Sequence, residues 1–136
     1  MTRDDVMVVR AFETWIHTDD LRRALGRPLR PPTSEQLAVM SEFASRVLPL
    51  SLALAGAPQP GRTARIILTG DGGGDWTMAL DGGEVGEPVV ELTVDVVDWC
   101  RRVGDRIEPD ELRYTARGEA RVAEDLVAAA ASLATL

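Results

Sequence analysis

Residues 63–80 read TARIILTGDGGGDWTMAL, and the reading of this stretch decides the fold class. TARIILTG (63–70) and DWTMAL (75–80) read as strands on either side of DGGG, which is the signature of a β-hairpin with a glycine-rich turn. A phosphate-binding loop of the Walker type is excluded at these glycines. That loop needs Lys followed by Ser or Thr at the start of a helix, and the chain contains no lysine.

Upstream of the hairpin, Thr33 and Gln36 in TSEQ form a capping-box pattern. It opens a helix with Leu37, Met40, Phe43, Ala44, Val47 and Leu48 at helical spacing. Pro49 is expected to kink or restart this helix, Gly56 to end it, and GAPQPG (56–61) to lead into the hairpin. Downstream, VVELTV (89–94) is a third strand that runs into DVVDWCRRVG (95–104), where Val96, Val97, Cys100 and Val103 share one helical face. ELRYTAR (111–117) reads as a short extended piece. It precedes an alanine-rich helix from about Glu119 to Leu133, with Val122, Leu126, Ala129, Ala130 and Leu133 facing inward.

The chain begins with another helix, Arg3 to Leu25, stopped by Gly26 and Pro28. Asp4 and Asp5 suit the positive end of its dipole, and Arg22 and Arg23 suit the other. Val6, Val9 and the Glu13/His17 line occupy one side, while Val8, Phe12, Trp15, Ile16 and Ala24 cover most of the rest. A helix apolar on several sides normally lies inside a bundle, and the sequence downstream offers no obvious bundle. The proline-rich RPLRPP (27–32) marks a boundary between residues 1–28, an orphan helix, and residues 29–136, a C-terminal domain expected to fold without it. The element order predicts an α+β fold: helices on one face of a small, mostly antiparallel sheet, preceded by one long N-terminal helix.

Composition bounds the function. The 136 residues, 45% hydrophobic, suffice for one compact core. No apolar run approaches the roughly 20 residues that cross a bilayer, and MTRDDVMVVR lacks the pattern of a secretory signal, so a cytoplasmic protein without membrane contact is expected. The net charge of −7 argues against nucleic acid as a partner. All 15 basic residues are arginine. Cys100 is the sole cysteine, which rules out an intrachain disulfide and predicts a buried thiol beside Trp99.

The stretch with chemistry in it is FETWIHTDD (12–20). Glu13 and His17, the only histidine, stand at i and i+4 and project from one helical face, the spacing with which helical pairs grip a divalent ion. Asp20 lies one step further along that face. The same spacing also serves ordinary surface contacts. A Ser, His and acid arrangement for nucleophilic catalysis does not stand out, since His17 has no serine at useful local spacing.

RAFETWIHTDDLRRALGRP (10–28) resembles the last helix of the DinB-like metal-binding bundle in mycothiol-dependent maleylpyruvate isomerases and their relatives. LPLSLAL (48–54), ILTGDGGGDW (67–76) and LTVDVVDWCRRVGDRIEPDEL (92–112) resemble that family's C-terminal, sterol carrier-like domain. The resemblance implies that Glu13 and His17 are two zinc ligands, with a third ligand, a histidine, on a bundle helix that these residues do not include. It implies mycothiol as the thiol, and a basic residue near the reacting carboxylates, for which Arg117 and Arg121 in ARGEAR are the nearest candidates. Asp110, Glu111, Glu119, Glu124 and Asp125 read as ordinary polar faces. Zinc enzymes of this type need three protein ligands and an open position. A truncated relative that is not catalytic by itself is therefore expected, with a small apolar-ligand module or a structural dimer as alternatives. The expected partners are a second copy packed through Phe12 and Ile16 of the first helix, or another chain that supplies bundle helices.

Overall fold

The computed structural model describes residues 2–132 and Ala134, so Leu133, expected on the inner face of the last helix, lies outside the described residues. The elements are α1 (Arg3–Ala24), α2 (Ser34–Arg46), α3 (Leu48–Leu54), β1 (Thr63–Thr69), β2 (Gly74–Ala79), β3 (Pro88–Asp95), α4 (Val96–Val103), β4 (Tyr114–Gly118) and α5 (Ala120–Ala129). The fold is α+β, with helices on a four-stranded sheet in the order β2-β1-β3-β4.

The hairpin forms as read: β1 and β2 pair antiparallel, with Ile66 opposite Trp76. Its turn is seated on α2, where the Ser41 hydroxyl donates to the Gly72 carbonyl at 3.1 Å. A Cβ at Gly72 would lie 2.5 Å from the Leu37 Cβ, so only glycine allows the turn this close to the helix. The central pairing differs from the outer two. β3 lies parallel to β1, because residues 80–87 carry the chain from the far end of β2 to the other side of β1, and β4 closes the sheet antiparallel to β3.

The strands alternate as half-buried strands do. Ala64, Ile66, Leu68, Val90, Leu92 and Val94 point into the core, while Arg65 on the other face reaches Glu91 at 3.1 Å and pairs with Asp75. The capping box at Thr33 is present, with Thr33 N–H donating to Gln36 Oε1 at 3.0 Å. Pro49 restarts the helix in the first turn of α3, at a bend of 52° from α2. No single helix among the described residues is long and apolar enough to cross a membrane.

The first helix is not an orphan. Phe12 and Ile16 are 7% and 8% exposed within the one chain and belong to the same hydrophobic cluster as Phe43 of α2 and Trp99 of α4. RPLRPP turns the chain so that the start of α1 meets the end of α2, where Asp5 pairs with Arg46. Trp15 Nε1 donates to the Arg30 carbonyl at 3.3 Å and ties helix to connector. Two further carboxylates of α1 face arginines of the body: Asp19 lies 3.8 Å from Arg101, and Asp20 pairs with Arg106. The apolar side chains that α1 leaves in water are others, Val6, Met7, Leu21 and Leu25. The helix is thus one-sided, and its bundle is made by α2 and α4 of its own chain.

Candidate ligand pocket beside the first helix

α1 does not seal completely onto the body. Between it, Phe43 of α2 and the end of α4 lies a pocket of about 290 Å³, close to the lower limit of small-molecule sites. Val9, Phe12 and Ile16 form one wall, and Phe43, Val103 and Ala134 form the other. Glu13, His17 and Arg106 are its polar lining. The i, i+4 spacing of Glu13 and His17 does bring both to one cavity, and both side chains are exposed.

Arg106 arrives by a turn. α4 ends with Gly104 as its cap, Asp105 adopts φ 59°, and the Asp105 and Arg106 amides donate back to the Arg102 and Arg101 carbonyls at 3.0 and 2.8 Å. This is the helix-ending motif that usually places glycine in the left-handed position. Arg102 fixes the neighbourhood from below. It is buried, and its guanidinium donates to the Val127 carbonyl at 3.0 Å and to the Ile107 and Ala128 carbonyls. Gly104 fits against Ile16, where a Cβ would lie 2.0 Å from the Ile16 Cδ1.

The Arg106 guanidinium is committed. Nε donates to Asp20 Oδ1 at 3.0 Å, Nη2 to Asp20 Oδ2 at 3.0 Å, and Nη1 to the Gly104 carbonyl at 3.1 Å. The hydrogen bond from Arg106 holds the Asp20 carboxyl below its ordinary range and raises the arginine in turn. Asp20, the acid one step along from His17, is therefore occupied by an arginine and not free as a ligand. Among the described residues, no group of three or more His, Cys, Asp and Glu side chains could hold a metal ion.

The two arginines proposed from the sequence stand elsewhere. Arg117 is on β4 beside Glu91 of β3, on the polar face of the sheet, and Arg121 is 85% exposed at the start of α5, 3.7 Å from Asp125. Neither lines the pocket, and the arginine that does is Arg106. The nearest sequence signal was the break after RRVG, since a helix end sends the next residues back over the preceding turn. Cys100 is buried beside Trp99, and burial pushes its thiol up to about 12, so it is no nucleophile. A more open hollow of about 370 Å³ lies between α2 and β2, where Glu42 and Arg46 are paired with each other at 3.5 Å.

Fold and site together define a small α+β protein with a helix-walled apolar pocket and a polar rim. No protein-family model, curated protein or solved structure matches the chain.

Proposed function

We propose that this chain is a small-molecule-binding module that holds a mostly apolar ligand between α1 and the end of α4, as a cytoplasmic protein. The observation that carries the reading is the meeting of Glu13, His17 and Arg106 on one apolar cavity. A concave apolar surface with a few convergent polar groups is the usual form of a ligand site. The resemblance of the Glu13–His17 helix to mycothiol-dependent isomerases fits as lineage, with catalysis dependent on a third ligand from another chain or a second copy. By itself this chain is not an isomerase in our reading, and any zinc it binds is held weakly.

Fluorescence titration with the neutral probe N-phenyl-1-naphthylamine tests the pocket. Saturable binding at one site, lost in a Val9→Trp variant whose melting curve is unchanged, is the expected result. Absence of binding to the folded wild type overturns the reading. Turnover of maleylpyruvate by the isolated chain with mycothiol and zinc, abolished by His17→Ala, overturns the non-catalytic part.

A further inference from the structure

The charges around the pocket define the class of molecule it takes. Arg106 would be the natural receptor for a carboxylate, but most of its donors already serve Asp20 and the Gly104 and Asp105 carbonyls, and the ion pair presents little net charge. Glu13 lines the same cavity and has no hydrogen-bond or ion-pair partner among the described residues. Among the described residues, the unpaired carboxylate at the rim is therefore that of Glu13. His17, one turn on from Glu13, adds an imidazole that donates or accepts one hydrogen bond. The chain as a whole carries −7, so its long-range field also draws cations and repels anions.

Resting on the pocket reading above, we infer that the ligand is an apolar amine: a hydrophobic body against Phe12, Ile16, Phe43 and Val103, with its ammonium at the Glu13 carboxylate. This is the opposite of the acidic substrate that the sequence resemblance implied. A carboxylate of the same shape would meet an arginine whose charge Asp20 already balances, and would gain a hydrogen bond at His17 only beside the negative Glu13. An ammonium finds Glu13 without an ion-pair partner among the described residues. Because Glu13 is exposed, the preference is moderate rather than absolute.

Isothermal titration at pH 8, where a free alkylamine is cationic and a free carboxylic acid anionic, and at low salt decides the matter with three molecules of similar size: phenethylamine, 2-phenylethanol and 3-phenylpropionate. The expected order of affinity is amine, alcohol, carboxylate, with the amine about tenfold or more above the carboxylate. Glu13→Gln is expected to abolish the advantage of the amine over the alcohol, both titrated into the same variant. If the alcohol binds but the carboxylate equals or exceeds the amine, the inference fails and the pocket reading stands. An amine preference that survives Glu13→Gln also overturns it. If none of the three binds to the folded protein, both fall together.

Discussion

Arg106 holds both carboxylate oxygens of Asp20, its Nε 3.0 Å from Oδ1 and its Nη2 3.0 Å from Oδ2, across 86 positions of sequence. The pair is one of three in which a carboxylate of α1 faces an arginine of the body, with Asp5–Arg46 at the start of the helix and Asp19–Arg101 near its end. Three acid-to-arginine clips on one helix make its attachment dependent on pH and salt.

The hydrogen bond from Arg46, aided by the Thr2 cap, holds the Asp5 carboxyl at about 2, below its ordinary value of 3.8. A depressed acid stabilises the fold above its unfolded value, and that contribution is lost as pH falls through the folded one. Asp5→Asn is therefore expected to melt below wild type at pH 7, with the gap narrowing below about pH 4 and closing near pH 2. Melting curves across this range check it. A gap that is constant with pH would show that the carboxylate charge contributes nothing.

Phe12 and Met7 sit on the same helix with opposite fates, 7% and 62% exposed. Phe12→Ala should cost about 3–5 kcal/mol in urea unfolding. Met7→Ala should stay within about 0.5 kcal/mol. Phe12→Asp or Ile16→Asp would accordingly damage the fold itself. If the chain pairs through the exposed side of α1, a Met7, Leu21 and Leu25 triple serine variant is expected to be monomeric by light scattering where the wild type is dimeric, and a variant that stays dimeric would place the contact elsewhere.

Removal of residues 1–28 uncovers Phe43 and Val103 and leaves Arg46, Arg101 and Arg106 without their α1 partners. The sheet and its remaining helices keep their own core, so residues 29–136 should still unfold cooperatively. Loss of the Phe12 and Ile16 burial, about 1.5–3 kcal/mol each, should lower the midpoint clearly. A shortened chain as stable as the full one would mean that α1 is not docked in solution.

Gly104 has φ −80°, which any residue adopts, so its need for glycine is purely one of space. A Cβ there meets the tip of Ile16, and Gly104→Ala should cost about 1–3 kcal/mol as the isoleucine shifts into the pocket. Binding of 2-phenylethanol should weaken with it. Unchanged stability and binding would place Ile16 elsewhere.

Cys100 is expected to resist Ellman's reagent at pH 8 in the native protein and to react fully in denaturant, because burial holds the thiol protonated up to about 12. Rapid labelling under native conditions would contradict the packing of α4.

Much of this protein was legible in its sequence because the signals are local. Thr33 with Gln36, Gly26 after Leu25, Pro49 in the first turn of α3 and the glycines of 70–74 each act on backbone within a few residues. The spacing of Glu13 and His17 likewise put both on one face, since a helix repeats its face every turn. The alanine-rich sequence predicts a last helix that runs on past Ala129, where α5 ends, because alanine favours helix but does not mark a stop. Tertiary structure decided the rest. Whether Phe12 and Ile16 faced a second copy or their own chain depended on where RPLRPP aimed α1. The parallel pairing of β1 with β3 depended on which edge of the hairpin the chain returned to. The arginine at the pocket is Arg106 and not Arg117 or Arg121, because a helix end at Gly104 and a left-handed Asp105 bring it back onto α1. Hydrogen-bond patterns and spacing determine local conformation, but which distant surfaces meet is a property of the whole packed chain, set by burial that no short segment contains.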